Sequence, residues 1–238
     1  TRVVMEPGFE AIIPEHSFVV YKLSVTCANG EIVVAPATGG FGADLEAVRE
    51  KISKKTRLIF IANPNNPTGT WVGLKEIERL LSAVPKSVWV VIDEAYFEYL
   101  DHPQYGSALC LMERFENLIV TRTFSKIYGL ASLRLGYSVT SSRFADLLNR
   151  ARQPFNVGGL TLAAGVAALS DDEFVTESRQ KNEKGLSQLE KGLDELGLSW
   201  IPSGGNFLAV DCDRDGQELF RELLKEGVII RAIGEYGM

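Results

Sequence analysis

The chain has 238 residues, of which 45% are hydrophobic and 24% are charged, and its formal net charge is −6 at pH 7. These proportions are typical of a globular protein that buries a sizeable core. The negative charge argues against nucleic acid and anionic membranes as partners, because both usually require a basic patch. No apolar run approaches the roughly 20 residues of a membrane-spanning helix.

The chain begins with a segment, residues 1–8, that is typical of the last turn of an amphipathic helix closed by Pro7 and Gly8. It stops just after a strand-like apolar run. We therefore expect both ends to be truncated relative to a longer chain.

Three short apolar runs rich in Val and Ile occupy residues 57–63, 87–93 and 117–123. Such runs are typical of strands that are buried on both faces. Between them, residues 73–84 have apolar side chains at helical spacing, and residues 107–115 predict a short helix. This alternation predicts parallel strands joined by crossovers, and hence an α/β sheet with helices on both faces.

The sequence pattern changes after Arg152, where two helices are predicted and the second has a long, charged, solvated face. A strand, a helix and a further strand are then predicted at residues 206–211, 216–227 and 228–233. We therefore predict a large domain over residues 1–152 and a smaller α+β domain over residues 153–238.

The three cysteines, Cys27, Cys110 and Cys212, are odd in number and widely spaced. This pattern suits a reducing cytoplasm better than a disulfide framework. We therefore predict a cytoplasmic protein, and we predict no metal site.

Polar motifs follow each of the three predicted central strands. They are Asn63–Gly69 (NPNNPTG), Asp93–Tyr96 (DEAY) and Thr123–Lys126 (TFSK). In an open α/β sheet, ligands bind beyond the carboxyl ends of the strands. We therefore expect all three motifs to open onto one rim.

The first two motifs each allow a functional and a structural interpretation. Asn66 either presents its amide to a ligand or belongs to a rigid loop of turn-forming residues. Asp93 is a partly buried carboxylate that needs a cation, or else it caps a helix N-terminus. Tyr96 either contacts a ligand or is a core aromatic residue.

The third motif combines an amine with possible phosphate ligands. Lys126 is either a surface lysine or the amine of a site. The hydroxyls of Thr123 and Ser125, together with Arg134, suit a phosphate oxyanion beside that amine.

A carboxylate, an amide, a phenol, a lysine and a phosphate cradle together match the requirements of pyridoxal 5′-phosphate. The lysine forms a Schiff base with the aldehyde of this cofactor. The carboxylate keeps the pyridine nitrogen protonated, so that the ring acts as an electron sink.

At these residues the sequence resembles the fold-type-I aminotransferases, and most closely the histidinol-phosphate aminotransferase family. The motifs PNNPTG, DEAY, RTFSK, LRLGY and PFNV occur in that family's order and at its spacing. The resemblance covers nearly the whole chain and implies a mostly parallel sheet flanked by helices.

The resemblance also implies a role for each site residue. Lys126 is the Schiff-base lysine and moves the proton, and Asp93 pairs with the pyridinium nitrogen. The remaining cofactor contacts are the 3′-oxygen ligands Asn66 and Tyr96, the phosphate ligands Thr123, Ser125 and Arg134, and the stacking ring of Phe18. Phe18 stands where relatives often have tyrosine, so it keeps the stacking and loses any hydroxyl contact.

Substrate contacts implied by the resemblance are Asn206 and Arg231, the arginine approaching the phosphate of the substrate. An arginine at the end of an apolar strand is equally typical of a solvated rim residue. The family's N-terminal arm and its glycine-containing phosphate loop are expected before Thr1. Its last substrate-binding arginine is expected after Met238.

The implied reaction is the ping-pong transfer of an amino group from histidinol phosphate to 2-oxoglutarate, by a homodimer. Two alternatives share every cofactor motif: an aminotransferase for aromatic amino acids and a phosphothreonine decarboxylase. A third alternative is a binding module that keeps the fold without turnover.

Overall fold

The computed structural model describes residues 1–238 and is dominated by one sheet. Its strands are β1 (Glu10–Pro14), β2 (Glu31–Ala35), β3 (Thr56–Ala62), β4 (Trp89–Asp93), β5 (Leu118–Thr123) and β6 (Gly136–Thr140). The strand order is β2-β1-β3-β4-β5-β6. All neighbours are parallel except β5 and β6, which are antiparallel.

Seven α-helices and a small second sheet complete the chain. The helices are α1 (Val19–Thr26), α2 (Leu45–Glu50), α3 (Leu74–Ala83), α4 (Ser142–Ala151), α5 (Gly159–Leu169), α6 (Asp172–Glu195) and α7 (Gly216–Lys225). Strands β7 (Ser199–Ile201) and β8 (Ala209–Asp211) pair antiparallel. No helix is both long enough and apolar enough to span a membrane.

The sheet separates two hydrophobic clusters, because successive side chains of a strand point to opposite faces. On one face, Ile92 and Val120 pack with residues of α2 and α3. On the other face, Val91 and Ile119 pack with residues of α1 and α4. Helices therefore cover both faces, as the sequence predicts.

Side-chain caps fix where several helices begin. The Asp44 carboxylate accepts hydrogen bonds from the Glu46 and Ala47 amides at the start of α2. Asp171 and Asp215 likewise accept from backbone amides in the first turns of α6 and α7. Each cap satisfies amides that a helix leaves without an internal partner.

The predicted central strands and helices agree closely with the structure, but one predicted strand is wrong. Residues 228–233 form no strand. An apolar run becomes a strand only when another strand edge pairs with it, and β8 pairs only with β7. The neighbouring prediction at 206–211 is confirmed only for the last three residues, which form β8.

Two further predictions are modified. The segment 107–115 contains a short 3₁₀ helix, Ala108–Leu111, instead of an α-helix. Residues 1–5 form a hydrogen-bonded turn, in which the amides of Val4 and Met5 donate to the Thr1 carbonyl. The predicted domain boundary near 150–156 lies between α4 and α5, and the division into two domains stays a prediction.

Candidate active site

Strands β3, β4 and β5 are neighbours and run parallel, so their carboxyl ends open at one rim. The loop after β3 is held by its own asparagines. Asn63 closes it by two hydrogen bonds with Val72, and the buried Asn65 donates to the carbonyl of His16 and to the Thr68 hydroxyl. Asn66 is the asparagine of this loop whose amide is left for the rim.

Asn66 and Tyr96 lie together at the rim. The Asn66 amide donates to the Tyr96 hydroxyl oxygen over 2.9 Å. Tyr96 is only 4% exposed, and the ring of Phe207 lies edge-on to it at 5.2 Å between centroids. The amide and the phenol therefore form one hydrogen-bonding unit, which the sequence analysis assigned to the 3′-oxygen of the cofactor.

Asp93 ends β4 and caps no α-helix. Its Oδ2 accepts a 2.6 Å hydrogen bond from the hydroxyl of Tyr21, a residue of α1. The Tyr21 ring stacks on Phe60 of β3, with centroids 4.7 Å apart and planes inclined by 7°. Tyr21 is therefore a site residue that was not predicted from the sequence. The predicted residue Phe18 lies one helical turn before it.

Burial raises the pKa of Asp93, and four contacts oppose this effect. They are hydrogen bonds from the Tyr21 and Thr121 side chains and the Ala95 amide, and the charge of Lys126. Burial of the Tyr21 hydroxyl, together with the charge of Asp93, raises the pKa of Tyr21 well above its ordinary value. The phenol thus stays protonated and keeps donating to the carboxylate.

Lys126 is half-buried, yet its amine joins no ion pair or hydrogen bond. Its Nζ lies 5.0 Å from the centroid of the Tyr96 ring. Its charge acts on Asp93 without direct contact. The Lys126 amine therefore lies at the rim beside Tyr96 with no hydrogen bond or ion pair that would compete with a ligand.

Thr123, Ser125 and Arg134 form the predicted anion cradle. The Thr123 hydroxyl accepts from the Ser125 amide over 3.0 Å, and Arg134 Nη1 donates to the Ser125 hydroxyl over 3.3 Å. Arg134 has a left-handed backbone, with φ of 52°. The structure therefore brings together two hydroxyls and a guanidinium, the donors that bind a phosphate.

Phe18 immediately precedes α1 and lies edge-on to Tyr21, with ring centroids 5.9 Å apart. Tyr21 in turn donates a hydrogen bond to Asp93, so Tyr21 contacts both the Phe18 ring and the carboxylate. The structure thus connects Phe18 to the rim through Tyr21.

The segment 203–207 lies against the loop that follows β3. The Gly204 amide donates to the Gly69 carbonyl over 2.8 Å. Gly69 has a φ of +74°, and a Cβ there would lie 2.2 Å from the Ser203 hydroxyl, so only glycine fits. This contact brings the exposed Asn206 beside the rim.

Arg231 is the predicted site residue that the structure does not bring to the others. It is exposed, and its Nη2 donates to Glu235 Oε1 over 2.5 Å. The chain just beyond it does reach the rim side, because the Tyr236 carbonyl lies 2.7 Å from His16 Nδ1.

Comparison with known families identifies the chain. The sequence model described as "Aminotransferase class I and II" matches residues 1–238. The chain belongs to the class I and II aminotransferases. Its mostly parallel sheet flanked by helices is the type I fold of this enzyme class, as the sequence predicts.

Relatives of this chain include proteins named histidinol-phosphate aminotransferase. The one from Pseudomonas aeruginosa is 51% identical over 239 residues, which cover all of this chain and 64% of the relative. The one from Nitrosococcus oceani is 47% identical, again over all of this chain and 64% of the relative. The chain thus spans a little under two thirds of these relatives.

Solved structures agree with this assignment. The histidinol-phosphate aminotransferase of Sinorhizobium meliloti, solved in complex with pyridoxal-5′-phosphate, has a TM-score of 0.91 at 29% identity, covering 97% of this chain and 63% of its own. Aspartate aminotransferase from Thermus thermophilus, with maleate, has a TM-score of 0.87 at 24% identity, covering 99% of this chain and 65% of its own. The second likeness concerns the fold alone.

The residues at the rim of this chain fit pyridoxal 5′-phosphate by their chemistry. The set contains an unpaired amine, a buried carboxylate, an amide bonded to a phenol, and two hydroxyls with a guanidinium. These groups complement an aldehyde, a ring nitrogen, a ring oxygen and a phosphate.

Replacing Tyr21 with phenylalanine should raise the pKa of Asp93 further, because the lost hydrogen bond favours the ionised carboxylate. The pKa of Asp93 in the folded state is already raised, so the free energy of unfolding decreases as the pH rises through this pKa. This decrease should be larger in the variant, because its Asp93 pKa is higher. We expect Tyr21→Phe to lower the free energy of unfolding by about 1–3 kcal/mol near neutral pH. This loss of stability should become smaller at pH values below the usual range of Asp pKa values, where the carboxyl is protonated in both states.

Urea unfolding at several pH values, with NMR titration of the Asp93 carboxyl, measures both effects. Tyr99→Phe is the matched control, since Tyr99 lies near Tyr96 but does not bond Asp93. A deficit for Tyr21→Phe that is independent of pH would contradict the prediction.

Proposed function

We propose that this aminotransferase transfers the amino group of histidinol phosphate to 2-oxoglutarate in a ping-pong reaction, as an enzyme of histidine biosynthesis that uses pyridoxal 5′-phosphate. The observation that carries the proposal is the half-buried, unpaired amine of Lys126 at a rim that also holds the buried carboxylate of Asp93. The relatives named histidinol-phosphate aminotransferase support the choice of donor.

When bound, pyridoxal 5′-phosphate supplies an aldehyde that exchanges amines and a ring that withdraws electrons from the carbon losing its proton. Lys126 Nζ would hold the aldehyde, and once the amine of the donor has displaced it there, the freed Nζ would move a proton from the α-carbon of the donor. Asp93 holds a negative charge against the ring nitrogen, and the Tyr21 hydroxyl fixes the orientation of that carboxylate.

The other rim residues bind and orient. Asn66 and Tyr96 would bind the ring oxygen, and Phe18 would stack on the pyridine. Thr123, Ser125 and Arg134, which are already joined by hydrogen bonds, would hold the phosphate. Asn206 contacts the substrate from the segment that packs on Gly69.

Replacing Lys126 with alanine should remove the amine without disturbing the core, because that amine has no partner within the protein. We expect the turnover rate to fall by roughly a factor of 10³ or more, as for the loss of a proton-transferring nucleophile. Borohydride reduction of the cofactor-loaded protein followed by peptide mass spectrometry should locate the label on Lys126. Lys181→Ala, which removes a lysine from an exposed ion pair on α6, is the control. Turnover at the parent rate in Lys126→Ala would refute the assignment.

Arg231 is proposed to bind the substrate phosphate, for which its guanidinium must exchange Glu235 for the ligand. Its pair with Glu235 is exposed and therefore weak, so this exchange costs little. Arg231→Ala should lower kcat/KM for histidinol phosphate by roughly 30- to 1000-fold and affect an unphosphorylated aromatic donor little.

Steady-state assays with both donors measure this difference. Arg214→Ala is the matched control, because Arg214 is also paired with a glutamate at the surface. Equal losses for the two donors would favour an aromatic amino acid as the natural substrate.

We also propose a homodimer, supported by the apolar side chains exposed between residues 155 and 169. Phe155, Leu160 and Val166 are 96%, 90% and 68% exposed. Apolar surface of this kind is typical of an interface. Sedimentation velocity of the full chain should show a dimer that Leu160→Glu weakens and Leu189→Glu, on the exposed face of α6, does not. A monomer at all concentrations would rule the dimer out.

A cytoplasmic location is part of the proposal. The three cysteines are free, as expected for a protein in a reducing compartment.

A further inference from the structure

A buried ion pair lies next to the rim, and neither of its residues contacts the predicted ligand groups. Glu94 is 2% exposed and Arg122 is 15% exposed. The Glu94 Oε2 atom accepts from Arg122 Nε over 3.0 Å and from Nη2 over 2.8 Å. Its carboxylate also accepts from the Ser107 hydroxyl and from the Ala108 amide.

Arg122 is fixed on its other sides as well. Its Nη2 donates to the Ser107 hydroxyl over 2.9 Å, and its guanidinium carbon lies 4.2 Å from the centroid of the Phe97 ring. Glu98 approaches Nη1 at 4.0 Å. Lysine has a single ammonium and no planar group, so it cannot reproduce both the convergent Nε and Nη2 donation to Glu94 Oε2 and the stacking on Phe97.

The Glu94–Arg122 pair is adjacent in the chain to the predicted ligand groups and lies on the opposite side of the sheet from Asp93. Glu94 follows Asp93 in the chain, and Arg122 precedes Thr123. Residues of even number on β4 and β5, such as Ile92 and Val120, face the α3 side of the sheet. Glu94 and Arg122 continue that side, whereas Asp93 bonds Tyr21 on the α1 side.

We propose that Glu94 and Arg122 are positioning residues that fix the separation between Asp93 and the Thr123–Lys126 segment. This inference rests on the proposed function. In pyridoxal 5′-phosphate the phosphate is carried on the ring carbon meta to the nitrogen through a short CH2–O link, so the distance between its ring nitrogen and its phosphate varies only within narrow limits. Its two ends bind simultaneously only when the ends of β4 and β5 are held at a matching distance, and simultaneous binding strengthens affinity without new contacts.

Arg122→Lys tests the proposal, because it keeps the charge and removes the paired donors. Dissociation constants are measured on the cofactor-free full chain for pyridoxal 5′-phosphate, for inorganic phosphate and for pyridoxal, which lacks the phosphate. We expect the constant for the whole cofactor to rise about tenfold or more, and the constants for the two fragments to change less than about twofold. Arg114→Lys, in the surface pair with Glu78, is the matched control.

The outcomes separate this inference from the proposed function. Unchanged cofactor affinity in Arg122→Lys, or equal losses for all three probes, would overturn the positioning role alone. Failure of the parent chain to bind pyridoxal 5′-phosphate would overturn the proposed function and the inference with it. If Arg122→Lys does not fold, Ser107→Ala replaces it. This variant removes the hydroxyl that bonds both Glu94 and Arg122. It should raise the dissociation constant of the whole cofactor more than those of the two fragments, by a smaller factor than Arg122→Lys does.

Discussion

The cost of burying charge at the ends of β4 and β5 is the constraint on which the rim depends. Four ionisable side chains, Asp93, Glu94, Arg122 and Lys126, lie where these strands leave the sheet. Removing each from water is expensive unless a partner compensates. Glu94 and Arg122 neutralise each other through a complete set of hydrogen bonds. Asp93 is hydrogen-bonded only to neutral donors and feels the charge of Lys126 without contact, and the Lys126 amine has neither a hydrogen bond nor an ion pair. The charges that the fold leaves uncompensated are those that a ligand with an aldehyde and a basic ring nitrogen completes.

The alternation of side chains along the strands places the Glu94–Arg122 pair and the Tyr21–Asp93 pair on opposite sides of the sheet. On one side of the sheet, the hydrophobic cluster under α3 continues into the Glu94–Arg122 pair. On the other side, the cluster under α1 continues through Tyr21 to Asp93. Residues that are adjacent in sequence therefore have different tasks, because a strand turns them to opposite faces. A short motif such as DEAY thereby carries a carboxylate on each side of the sheet, Asp93 bonded to Tyr21 and Glu94 bonded to Arg122.

The sequence predicts those parts of the site whose determinants are local. Asn66, Asp93 and Lys126 follow apolar runs long enough to be recognised as buried strands, and the ends of neighbouring parallel strands necessarily meet. Tyr21 could not be found in this way, because its partner Asp93 is distant in the chain and a tyrosine among apolar residues is also typical of a core. One signal was available: a buried tyrosine hydroxyl needs an acceptor, and Tyr21 follows Phe18 by one helical turn. The segment 228–233 has the composition of a strand, but composition does not specify whether an edge is free to pair with it.

The packing of segment 203–207 on the loop after β3 has a consequence for the order of assembly. Strands β3 to β6 pair with neighbours close in sequence, so they associate early as the chain is synthesised from its N-terminus. Gly204 and Phe207 emerge much later, and only then do the Gly69 carbonyl and the Tyr96 ring receive their contacts. Strand β6 ends at Thr140, so the strands of this part of the sheet are all synthesised before the segment that covers the Tyr96 ring. Until the segment 203–207 docks, the Tyr96 ring lacks the edge contact of Phe207, and the last part of the rim to be covered is therefore the part that is synthesised last.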